Sequence, residues 1–155
     1  MDYIDNDWVG SFHDRKSTSG YMFRIGLGAI LWASKKQPIV AQSIVEAEYI
    51  ATNATTCQTI WLRRILKDLN ERQKNGTTIY CDNISLIALS KNRIFHQRSK
   101  HIEIGYHLIR EMVENTDIKI KFCKSEQQLA DIFTKPLGIG TFVHLRECLG
   151  VVELN

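Results

Sequence analysis

The chain has 155 residues, 44% hydrophobic and 24% charged, with a formal net charge of +3. That length suits one domain with a real core, spanning 1–155, and is too short for two ordinary ones. No apolar run approaches the roughly 18 residues of a membrane span, and the acidic start "MDYIDNDWVG" lacks a signal-peptide layout, so an intracellular protein is expected.

"DYIDNDWVG" alternates like a strand and stops at Gly10. In "STSGYMFRIGLGAILWASKK" Tyr21, Phe23 and Ile25 share one parity, then a Gly-x-Gly turn leads to "AILWAS". That is a hairpin signal, giving three antiparallel strands before any helix. From Ile44 to about Leu69 the spacing is helical, with Ile44, Ala47, Tyr49, Ile50, Ala54, Leu62, Ile65, Leu66 and Leu69 on the expected stripe. The threonines around Cys57 are weak helix formers, and a kink is expected there. "TTIYCD" reads as a fourth strand, "NISLIALSKN" as a short helix with Asn83 near its start, and "EIGYHLIREMVENTD" as a further helix. "IKIKFCK" is a fifth strand; "EQQLADIFTKPL" and "TFVHLRECLG" read as helical pieces either side of Pro136. The order predicts an α/β fold, a mixed five-stranded sheet flanked by helices. Trp8, Trp32 and Trp61 sit in apolar contexts and are expected in the core. The cysteines Cys57, Cys81, Cys123 and Cys148 have no metal-finger spacing and are read as reduced thiols without a disulfide partner.

The acids fall in telling places. Asp5 lies inside the first strand, Glu48 early in the long helix, Asp82 at the end of the fourth strand, and Asp131 in a late helix. Singly, each has an ordinary reading: a turn or cap for Asp82, a helix-dipole residue for Glu48, a surface residue for Asp131. Together they ask for more, since an unpaired carboxylate in a sheet interior is costly. A divalent metal would compensate, and hard oxygen ligands suit Mg²⁺. Two such ions would activate water against a phosphodiester without any nucleophilic side chain. Glu46 and Glu48 in "SIVEAEYIA" stand about 200° apart on a helix, so one can face solvent while the other faces the packing. Asp5 and Asp7 share a strand face, and spacing alone does not choose between them.

The set "YIDNDWVG", "RKSTSGYMF", "WASKKQ", "VEAEYIA", "CDNISLIALSKN", "FHQRSKHIEI" and "QLADIFTKPL" resembles the ribonuclease H domain of copia-type LTR retrotransposons, over the whole chain and in order. The resemblance implies a ribonuclease H-like fold and Mg²⁺-dependent hydrolysis, with two ions and Mn²⁺ as a substitute, of the RNA strand in RNA/DNA hybrids. It further implies an Asp-Glu-Asp-Asp quartet as catalytic and metal-binding residues, here Asp5, Glu48, Asp82 and Asp131. Asp5 is preferred to Asp7 by family register, and Glu46 is then the solvent-facing glutamate. A reverse transcriptase domain of the parent polyprotein is the implied protein partner, and no membrane is involved. One departure stands out: many ribonucleases H carry a histidine before the last Asp, whereas "KSEQQLAD" has none and offers Glu126. The alternative is a catalytically silent, domesticated module that binds nucleic acid or protein.

Basic segments supply candidate substrate contacts. "RIFHQRSKH" holds Arg93, His96, Arg98, Lys100 and His101 without an acid, and Arg15, Lys16, Ser17, Lys35, Lys36 and Asn83 offer further cations and polar groups. Such groups bind a phosphate backbone without sequence preference. Their ordinary readings are a solvated basic loop and plain turn chemistry.

Overall fold

Strand β1 (Asp2–Asp7) alternates between the faces of a sheet, and its two parities serve two separate cores. Ile4 belongs to one, built with Tyr49, Ala51, Ile79, Leu86, Ile109 and Ile118. Tyr3 packs against the other, around Met22, Leu129, Leu145 and Leu149. The computed structural model describes residues 1–11, 13–26, 28–91 and 100–151, with backbone alone for residues 89 and 100–102.

The remaining elements follow the expected order. They are β2 (Thr18–Ile25), β3 (Gly28–Lys36), α1 (Ile44–Asp68), β4 (Thr77–Cys81), α2 (Ile84–Lys91), α3 (Lys100–Glu114), β5 (Ile118–Phe122) and α4 (Ile139–Cys148). The sheet runs β3-β2-β1-β4-β5. The first three strands pair antiparallel, while β4 is parallel to both β1 and β5. This is the expected mixed five-stranded sheet with helices packed on it.

Helix α1 runs unbroken for 25 residues, so the expected kink at Cys57 does not occur. The reason lies in its buried face, which is made of Ala47, Ala51, Thr52, Thr55, Thr56 and Thr59 rather than the long aliphatic stripe. Thr52, Thr55 and Thr59 return their hydroxyls to the carbonyls of Glu48, Ala51 and Thr55, at 2.8, 2.9 and 2.9 Å. Their polar atoms are thereby satisfied, and a face of short side chains lets the helix lie close to the sheet. Ile44 and Leu69, expected inside, are exposed.

The tryptophans also depart from expectation, with Trp8, Trp32 and Trp61 exposed by 42%, 57% and 51%. Trp61 is two residues past buried Thr59 and so lies on the far side of α1. Trp32 stands on the edge strand β3, and Trp8 in the turn after β1.

The segment "EQQLADIFTKPL" is not one helix but two 3-10 helices, Ser125–Gln127 and Leu129–Phe133. Fully buried Gln128 fixes the second to the sheet. Its Nε2 donates to the Ile4 carbonyl at 2.8 Å, and its Oε1 accepts from the Ala130 amide. Gly20 sits opposite Asp5 across the β1–β2 ladder. A Cβ there would come within 2.6 Å of Thr134 Cγ2 and 3.2 Å of the Ala130 carbonyl. Only a missing side chain lets the 3-10 helix settle this low on β1 and β2.

Among the described residues no helix is long and apolar enough to cross a membrane, and the four cysteines are free.

Candidate active site

The parallel register pairs Tyr3 with Tyr80. Two residues further along each strand come Asp5 and Asp82, so the two carboxylates emerge side by side at the C-terminal ends of neighbouring strands. Crevices at such strand ends are where ligands bind in α/β sheets. Helix α1 begins at this same end and lowers Glu48 onto the pair. Asp5, Glu48 and Asp82 each offer an oxygen within 4.8 Å of the others.

Asp5 is 1% and Glu48 4% exposed. Burial pushes Asp5 up to about 7, against a lowering from the Thr134 hydroxyl and the Lys135 ammonium. Glu48 is driven well above the usual carboxylate range, first by burial and then by the charges of Asp5 and Asp82. Glu48 Oε2 is buried without a hydrogen-bond partner. A buried, unpartnered oxygen on one of three converging acids fits a hard divalent cation, whose charge would supply the missing compensation.

Asp131 stands on the other flank of Asp5, and a cation of the chain itself lies between them. Lys135 Nζ donates to Asp5 at 3.2 Å and to Asp131 Oδ1 at 3.1 Å. The Thr134 hydroxyl donates to Asp5 Oδ2. Burial works against the charge on Lys135, but Asp5 and Asp131 outweigh it and its pKa is raised. Ser125 Oγ donates to Asp82 Oδ2 at 3.2 Å. Sequence reasoning assigned no role to Thr134, Lys135 or Ser125. The available signal for Lys135 was its i,i+4 spacing from Asp131, a helix-type ion-pair spacing.

The other expected residues are placed as follows. Asp7 is outside the three-acid group, and a Cβ on Gly10 would lie 2.0 Å from its Oδ2, so its carboxylate folds back over the turn. Glu46 is buried, not solvent-facing: its Oε2 accepts from the Gln42 amide at 2.8 Å while Ser43 Oγ caps the Glu46 amide. "SIVE" is a Ser-x-x-Glu capping pattern, a reading the motif allowed. Asn83 uses its Oδ1 to cap α2 at the Leu86 amide. Ser17 is fully buried, its hydroxyl accepting from the Val9 amide. Lys16 donates to the Pro38 carbonyl, and Lys36 pairs with Asp14 at 2.8 Å. Arg15 and Lys35 are exposed, as is Glu126. Arg93, His96 and Arg98, and the side chains of Lys100 and His101, lie outside the described residues.

No family model matches the chain. It is 43% identical over 149 residues to the retrovirus-related Pol polyprotein from transposon TNT 1-94 of Nicotiana tabacum, a match covering 96% of this chain and 11% of that polyprotein. With the corresponding polyprotein from transposon RE1 of Arabidopsis thaliana, identity is 38% over 152 residues, covering 98% and 10%. Among solved structures it resembles LC11-RNase H1, isolated from compost by a metagenomic approach, at a TM-score of 0.59 and 14% identity, covering 86% of this chain and 90% of that one. The chain has a ribonuclease H-like fold and is related to one portion of these Pol polyproteins.

This ribonuclease H-like chain spans about a tenth of the length of the curated polyproteins it matches. It also resembles part of the protease-reverse transcriptase of prototype foamy virus, at a TM-score of 0.53 and 13% identity, covering 99% of this chain and 21% of that one. At such identities the solved structures establish the fold.

Proposed function

We propose that the chain is a metal-dependent ribonuclease H that hydrolyses the RNA strand of RNA/DNA hybrids. The observation that carries this reading is the convergence of Asp5, Glu48 and Asp82 within 4.8 Å, at the C-terminal ends of β1 and β4. Its context supports the reading, because LC11-RNase H1 of the same fold has been solved in complex with an RNA/DNA hybrid, at a TM-score of 0.59. Asp5, Glu48, Asp82 and Asp131 would hold two Mg²⁺ ions, with Mn²⁺ as a substitute. Bound there, the ions would supply an activated water and stabilise the leaving oxygen of the phosphodiester.

The chain's own groups do the positioning. Thr134 and Lys135 orient Asp5, Ser125 orients Asp82, and α1 presses Glu48 inward. The β1–β2–β3 registers place Ser34 and Gly20 on the rung of Asp5, and Lys35 one rung further. At about 4.8 Å per strand, Lys35 and Lys36 stand about 10 Å across the sheet at the same end as the acids. There they and Arg15 would meet the hybrid's backbone, giving affinity and register without sequence preference. Within the cell, the partner of such a domain would be the reverse transcriptase of its parent polyprotein.

A labelled hybrid incubated with purified protein and Mg²⁺ tests the reading. Wild type should cut the RNA strand, and Asp82→Asn should abolish cutting with an unchanged circular-dichroism spectrum. Equal cutting by that variant, or in excess chelator, would overturn it. Salt-dependent hybrid binding with no cleavage in either metal would identify a silent binding module instead.

A further inference from the structure

The four acids of the site are not equivalent toward a cation. Asp5, Glu48 and Asp82 face one another with an oxygen of Glu48 unclaimed. Asp131 meets Asp5 across Lys135, whose Nζ is 3.2 Å from one and 3.1 Å from the other. An ion entering among the first three acids meets a Glu48 oxygen that no group of the chain holds. An ion entering between Asp5 and Asp131 must take the ground held by an ammonium.

We propose that Lys135 is a tethered counter-cation that occupies the second metal position and makes the two positions load in order. The proposal rests on the metal reading above. Three features carry it. The first is the double contact of one ammonium with both acids. The second is the delivery of Lys135 by the same short turn that carries Asp131, with the Lys135 amide donating to the Asp131 carbonyl at 3.0 Å. That turn is pinned by Gln128 to β1 and seated on Gly20, so the ammonium is aimed by the backbone and not by chance rotamers. The third is partial exposure: the Lys135 side chain is 33% accessible, against 2% for Asp5. The lysine can therefore swing to water while the aspartate cannot. Without a metal, the ammonium neutralises two acids that would otherwise repel across a dry pocket. When a divalent ion arrives, it competes with a charge that is tethered at high effective concentration. Lys135 is thus a positioning residue that sets the order and the affinity of loading.

Calorimetric titration of the full chain with Mn²⁺, without nucleic acid, reads this directly. Wild type should bind one ion tightly and the second weakly, and Lys135→Met should bind the second at least tenfold more tightly. Lys135→Arg, which keeps a cation, should return the wild-type isotherm. In chelator, Lys135→Met should melt below wild type, and saturating Mn²⁺ should close that gap. A second measurement needs no variant. Mass-spectrometric acylation of wild type at fixed pH should show Lys135 protected in chelator and reactive in saturating Mn²⁺, with exposed Lys121 as the internal reference. Identical isotherms for wild type and Lys135→Met, or Lys135 acylation unmoved by Mn²⁺, overturn the proposal and leave the metal reading standing. If neither protein binds any ion, the metal reading fails and this proposal fails with it.

Discussion

Strand β1 carries a buried aspartate near each end, and the two make an instructive pair. Asp2 is 2% exposed and Asp5 1%. Burial is the leading influence on both, and it pushes both up to about 7. Around Asp2, the opposing influences are the terminal amine and Thr59. Around Asp5 stand Glu48, Asp82, Thr134, Lys135 and Asp131, from three separate parts of the chain. Burial and a shifted proton affinity are therefore common to both ends of the strand. Among the described residues, convergence of acids on a shared point belongs to one end only, and it is convergence that marks a candidate site.

The sharpest way to break this contrast is to remove the charge at each end. Glu48→Gln is expected to lower hybrid cleavage by well over about 100-fold, the loss associated with removing a mere supporting partner of a metal ligand. Asp2→Asn should leave the cleavage rate unchanged in the same gel assay. Comparable losses in both variants would mean that convergence is not what matters.

A smaller effect is expected from the seat of the 3-10 helix. Gly20→Ala puts a methyl 2.6 Å from Thr134 Cγ2. Overpacking of this kind costs about 1–3 kcal/mol, measurable by denaturant melts, and should weaken metal binding by moving Asp131 away from Asp5. No such change is expected at the Asp2 end.

Next in size is the pH response. Folded Asp2 and Asp5 keep their protons to about 7, whereas the unfolded groups release them near 3.8. Between those values the folded chain binds more protons, so in chelator its stability is greatest at the acidic side and falls as pH rises through the window. Asp2→Asn and Asp5→Asn should each flatten that fall. Only Asp5→Asn should also abolish the stabilisation that Mg²⁺ gives at pH 8, read as a shift in melting temperature.

The smallest effect concerns the neighbouring glutamate. Ser43→Ala should cost about 1 kcal/mol as a lost helix cap. Glu46→Gln should cost less, because its amide oxygen still accepts from Gln42, and neither should change cleavage.

How much of this could be read from residues alone depends on whether the signal is local. Strand alternation in "DYIDND" and "IKIKF" and the hairpin of β2 and β3 are set by neighbours along the chain, and they were legible. The meeting of Asp5, Glu48 and Asp82 was legible, through the resemblance and through the cost of acids in strands. The exposure of Trp32 was not, because an edge position is decided by which strands pair, and that is a property of the whole sheet. The straightness of α1 was misjudged because threonine propensity was weighed without the i−4 hydroxyl bonds that satisfy it. Glu46 was misjudged because helix angle was counted without the capping bond to Gln42. Lys135 was visible as a letter, but its partner Asp5 is 130 positions away.

That separation has a consequence for how the protein is made. Gln128 reaches Ile4 across 124 positions, and Thr134 reaches Asp5 across 129. Such contacts are the slowest to close in a folding chain. A nascent polypeptide halted before Gln128 would already carry Asp5, Glu48 and Asp82, yet the 3-10 helix that packs on β1 and brings Asp131 to it would be missing. The four acids can therefore come together only after the segment from Gln128 to Lys135 has been made and has closed onto β1.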